Sequence, residues 1–189
     1  MDIRTLFIVL VFAYALESVV LYFQYSLNKF FKGIIWWVWA FVFFALGLFL
    51  FSLREAVSFK LIAVIMPNLL TIIGWALLHI GVVRFLDKKE NRRIILTVLS
   101  LFVLVFCLFT YLVDNLTVRS AVIFAGFAFF AWWTARYLAA TRPRPIRASA
   151  TLVSLVLVLS GSFNAFRIVL LFSSAPVLVY WSTERLHHG

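Results

Sequence analysis

The sequence predicts an all-α fold, a polytopic bundle of transmembrane helices, on three observations. Hydrophobic residues make up 65% of the chain and charged residues only 13%, against roughly a quarter charged in an average globular domain. Apolar runs long enough to cross about 30 Å of hydrocarbon, about 20 residues each, follow one another with short polar breaks. The runs show no period-2 alternation, and a backbone in lipid must satisfy its own hydrogen bonds, so they read as helices and not as barrel strands.

The first run covers residues 3–27 and is read as a retained span. It is longer than a signal-peptide core and has no Ala-x-Ala cleavage pattern. A basic turn with Lys29 and Lys32 leads to the second run, 33–53. The third, 59–86, is the longest, and Pro67 near its start predicts a bend. A charged stretch, 87–93, precedes the fourth run, 94–113, and the short turn 114–117 precedes the fifth, 118–140. Pro143 and Pro145 cannot continue a helix, so the sixth run starts afresh and covers 150–172. After Ser173, Ser174 and Pro176 only residues 177–181 are apolar, too few to cross a bilayer. The reading is therefore six full spans with room for at most a partial seventh: residues 1–172 as the bundle and 173–189 as a short C-terminal tail that does not cross.

A formal charge of +10 invites a nucleic-acid reading, but the cations sit in short loops and form no extended basic face. They divide unevenly between alternate loops. Lys29, Lys32, Lys88, Lys89, Arg92, Arg93, Arg142, Arg144 and Arg147 share one side, whereas Arg4, Arg54, Lys60, Arg119 and Arg185 share the other. The positive-inside rule makes the first side cytoplasmic, which predicts a multi-pass protein of a bacterial inner (plasma) membrane with both termini outside. Trp36, Trp37, Trp39, Trp132, Trp133 and Trp181 fall near predicted span ends, where amphipathic rings favour the interface.

Ionisable groups inside spans are costly, which makes them functional candidates. Glu17 and His79 lie on the same side of the middle of their runs, and the sequence predicts that they meet as the main buried polar site. Asn68, Asn164 and Arg167 lie toward the outer side and form a second candidate. Arg84 and Arg136 stand near cytoplasmic ends. The plain alternative is that the asparagines join helices, that Arg167 snorkels, and that Arg84 and Arg136 anchor helix ends. Gly74 and Gly81, seven apart, and Ser160-Gly161-Ser162 read as close-packing helix contacts.

Enzymatic readings are poor, and no catalytic residue, metal or cofactor is expected. His79 is the only histidine within a span, no His-Glu-x-x-His pattern occurs, and Cys107 is the one cysteine. All five lysines lie at span ends or in loops, which removes a buried Schiff-base lysine.

The opening Asp2-Ile3-Arg4-Thr5-Leu6, then Trp36-Trp37, Gly47 and Leu53-Arg54, resemble the first two helices of the N-terminal membrane region of bacterial GGDEF-type diguanylate cyclases. Asn68-Leu69-Leu70, Gly74, Gly81 and Arg84-Phe85 resemble the third, and Arg167 stands where such proteins often carry an arginine in the sixth. The resemblance implies a sensory or regulatory input region. The Gly-Gly-Asp-Glu-Phe sequence is absent, so it implies no catalysis. The expected role is a sensor-like or accessory module acting through helix-helix contacts with a partner. That partner is another membrane protein or a second copy in the lipid bilayer, with no nucleic acid involved. A structural subunit of a larger membrane complex and a small-solute transporter or channel are the alternatives; the inverted repeats that would favour transport are not found.

Overall fold

The computed structural model describes residues 3–54, 56, 59–113, 115–141 and 147–187, with side chains between Thr5 and Ser173. Six long helices follow one another: α1 (Ile3–Leu27), α2 (Ile34–Ser52), α3 (Met66–Phe85), α4 (Arg92–Tyr111), α5 (Leu116–Thr141) and α6 (Arg147–His187). No strand occurs among the described residues. Each helix contributes a segment long and apolar enough to cross a membrane, the third being Leu61–Phe85 and the sixth Arg147–Ser173. The protein is an all-α, multi-pass membrane bundle.

The backbone adds detail to two sequence expectations. The count of six full spans holds among the described residues, and the stretch left for at most a partial seventh is a continuation of α6, which runs to His187. At Ser173 the Oγ donates to the Leu170 carbonyl at 3.1 Å, a back-bond that leaves the helix intact. The reading of 173–189 as a non-crossing tail falls almost wholly outside the residues whose side chains are described. In the third span, the irregularity attributed to Pro67 sits just before it. Residues Leu61–Ile65 form one π turn, in which the Met66 N–H bonds the Leu61 carbonyl five residues back. Proline has no N–H to offer a regular turn, and the wider turn ahead of it takes up the slack.

The helices pack as an open row, α1 on α2, α2 on α3, α3 on α5 and α5 on α6, with α4 laid against α5 and α3. Among the described residues α1 touches only α2, and α6 touches only α5. Glycine makes the α2–α3 seam tight. A Cβ on Gly74 would stand 2.6 Å from the Phe44 ring, and one on Gly81 would run into Trp37. Dispersion gained by such close approach is the main attraction available between helices in lipid. Trp37 adds a bond across the seam, its Nε1–H donating to the Leu78 carbonyl at 3.3 Å. Gly161 likewise receives Trp132 between α5 and α6. Ile72, Phe106 and Phe130 fill the centre between α3, α4 and α5.

The tryptophans do not behave as one interfacial belt. Trp39 and Trp132 are exposed, but Trp37 and Trp133 turn toward neighbouring helices, Trp133 stacking on His79. An indole that finds a carbonyl or an aromatic partner inside the bundle has no need of the interface.

Candidate functional site

Among the described residues the most deeply buried ionisable side chain is His79 of α3, with no exposed surface. It belongs to the buried stripe Ile72, Ala76, His79 and Val83, spaced to lie on one helix face. The opposing face of α5 brings Thr134, Phe130, Trp133 and Tyr137. His79 Nδ1 lies 2.9 Å from Thr134 Oγ1, and that hydroxyl already donates to the Phe130 carbonyl at 2.7 Å. A hydroxyl has one hydrogen, so Nδ1–H must be the donor to Thr134, and the imidazole is assigned as the Nδ1–H tautomer. The ring stacks on Trp133 at 4.1 Å and 22°, and meets Tyr137 edge-on at 5.5 Å. Nε2 is then a buried lone pair with no hydrogen-bond partner. Such an orphan acceptor is unusual in a native interior.

Glu17 does not take part. It is exposed on α1, which reaches only α2, and it forms no hydrogen bond or ion pair with the described residues. The expected Glu17–His79 pair is therefore absent, for two reasons. With about 1.5 Å rise per residue, Glu17 stands about 3 Å past the middle of its helix and His79 about 9 Å past the middle of its span. More important, α2 lies between the two helices in the row. Glu17 instead shares an exposed stripe with Ala13, Val20 and Gln24, spaced i−4, i+3 and i+7 from it.

Nor does the second candidate form a bonded layer. The Asn68 amide donates to Val64 O at 2.6 Å and the Asn164 amide to Ser160 O at 2.8 Å, so each bonds its own helix. Arg167 is exposed, and its guanidinium lies 4.0 Å over the Phe124 ring. Asn68 does line a cavity of about 140 Å³ with Arg54, Arg119 and Ser120, and Ser120 also borders the groove at Arg167. The two spaces share Ser120 as a wall, and no hydrogen bond among Asn68, Asn164 and Arg167 occurs among the described residues.

At the opposite end stands a charged cluster that the sequence reading did not single out. Arg84 Nη2 meets Glu90 Oε1 at 2.7 Å and its Nε meets Oε2 at 3.3 Å, while Arg92 Nε reaches Oε1 at 3.0 Å. The Arg84 hydrogen bonds hold the Glu90 carboxyl down at about 2, against the opposing effect of burial and with a smaller pull from Arg92. Below the guanidinium, Trp36 offers its ring at 4.4 Å. The α3 terminus that presents Arg84 closes with Lys88 N–H on Val83 O and Asp87 N–H on Arg84 O, both 3.0 Å. Asp87 supplies the left-handed residue of that motif, at φ 53°.

Arg136 is exposed near the end of α5, as an anchor would be. No group of three His, Cys, Asp or Glu side chains suited to a metal occurs among the described residues. Thr134 was illegible in sequence, because a helical threonine usually bonds its own backbone and says nothing about a partner. Compared with protein-family models, curated proteins and solved structures, the chain matches none.

Proposed function

We propose that this chain is an accessory module of a bacterial inner membrane, and that it docks through α1 onto a helix of another membrane protein as a signal-input component. The observation that carries the reading is Glu17, an exposed carboxylate near the middle of an apolar helix. A carboxylate facing hydrocarbon costs a few kcal/mol or more. A partner helix bearing a hydrogen-bond donor or a cation at that depth removes the cost, and Gln24 on the same stripe offers a second polar contact. The occupant is thus a helix of complementary polarity. The resemblance to diguanylate cyclase input regions supports a partner that carries a cytoplasmic catalytic domain. The loop charges support an orientation with the turns at Lys29 and Lys88 in the cytoplasm and the N-terminus outside.

The test places a photo-cross-linking residue at Val20 in cells, with Leu104 of the exposed α4 face as control. The expected result is one discrete adduct with a second protein at Val20 only, kept by Glu17→Gln and lost by Glu17→Leu. An adduct with another copy of this chain, or one indifferent to Glu17→Leu, overturns the reading. A cross-linked partner without a catalytic domain favours the structural-subunit alternative.

A further inference from the structure

We infer that the end of the bundle at the α1–α2 and α3–α4 turns binds one anionic diacyl phospholipid, its phosphate among the cations around Arg84 and one acyl chain in the trough between α2 and α3. Two cavities meet at Arg84. The first, about 600 Å³, is walled by Lys32, Arg84, Lys88, Lys89 and Arg92, with Asp87 and Glu90 as its only acids. Five cations face two carboxylates, and Glu90 is already committed to Arg84 and Arg92. The surplus calls for an anion from outside.

The second cavity, about 460 Å³, is lined by Trp36, Trp39 and Phe43 of α2 and by Ile73, Leu77 and Arg84 of α3, together with Ile35. Apart from Arg84 its walls are apolar or aromatic. From Arg84 to Ile73 the helix rises about 16 Å, which is one leaflet of a hydrocarbon core about 30 Å thick. A trough one leaflet deep fits an acyl chain; a partner helix would need a groove running the whole thickness. Arg84 belongs to both spaces, with 28% of its side chain exposed. Glu90 holds its Nε and Nη2 edge and Trp36 its face, so the guanidinium is fixed at the level where a phosphate stands above its own chain. A basic pocket against helix surfaces at the membrane boundary is the usual recognition element for anionic headgroups.

Native mass spectrometry of the full chain in mild detergent tests the site, with phosphatidylglycerol, phosphatidylethanolamine of the same acyl chains, and glycerol phosphate as probes. Phosphatidylglycerol is expected to bind at least tenfold more tightly than phosphatidylethanolamine. The double variant Lys88→Gln/Lys89→Gln, at exposed positions that leave the fold alone, should weaken it about tenfold. Leu77→Trp, which fills the trough, should weaken the lipid and leave glycerol phosphate unaffected. Equal binding of the two lipids, indifference to the lysine variant, or displacement of the lipid by an equal concentration of glycerol phosphate overturns the proposal. If Leu77→Trp does not fold, the lysine variant and the lipid comparison decide.

Discussion

Glu17 and His79 are ionisable residues in the interior of apolar helices, both on the same side of the helix middle, and the fold treats them in opposite ways. His79 is enclosed, bonded to Thr134 and stacked on Trp133. Glu17 is exposed, with no hydrogen bond or ion pair among the described residues. The difference lies in the row of helices and not in the residues. Among the described residues α3 has neighbours on several sides, whereas α1 has only α2, so His79 finds a partner within the chain and Glu17, on the exposed side of α1, finds none.

The contrast is most easily broken at His79. His79→Ala should destabilise the protein by about 2–5 kcal/mol, from the cavity left behind and the lost bond across α3–α5, read as thermal unfolding in a fixed detergent. A loss no larger than that of Glu17→Leu would erase the distinction. Thr134→Val strands the buried Nδ1–H and should cost about 1–2 kcal/mol; combined with His79→Leu it should cost markedly less than the sum, since the pair shares one bond. The charged end supplies a smaller effect through pH. Glu90 titrates lower in the folded protein than its ordinary 4.5, at about 2, so its contribution is present above pH 4.5 and is lost as pH falls toward 2. Glu90→Gln should flatten that acid limb, at a cost of about 1 kcal/mol at neutral pH. The smallest effect belongs to Glu17→Leu, which should shift the folding stability of the isolated chain by under about 0.5 kcal/mol in either direction, because Glu17 faces detergent in the folded and the unfolded chain alike and its solvation cost cancels. A large loss would mean that Glu17 is satisfied within the chain after all.

Periodicity and length made the six helices legible, because a 20-residue apolar run has few alternatives in lipid. Gly74 and Gly81 announced a close helix contact for the same reason: glycine seven apart in an apolar helix serves mainly approach. Neighbour order was not legible. Nothing in the runs says that α5 lies beside α3, and that adjacency chooses Thr134 over Glu17 as the partner of His79. Facing was equally hidden, since Ser18 turns toward α2 while Glu17 and Gln24 turn outward, and the sequence does not say which of these polar residues marks the packed side. The cluster at Glu90 left a trace as mixed charges in the loop 87–93, but its pairing with Arg84 depends on the tight turn after Phe85, whose left-handed residue is an aspartate and not the usual glycine.

Because α3 and α5 touch with α4 between them in sequence, His79 is made 55 residues before the threonine that bonds it. At about 5–20 residues per second of synthesis, the imidazole waits roughly 3–11 s for Thr134 to be made. During that interval α1, α2 and α3 can already close on their glycine seam, while one face of α3 still shows a bare imidazole. The nascent chain thus passes through a stage with an unclaimed polar site facing lipid, the period in which an insertion factor or a chaperone has most to hold.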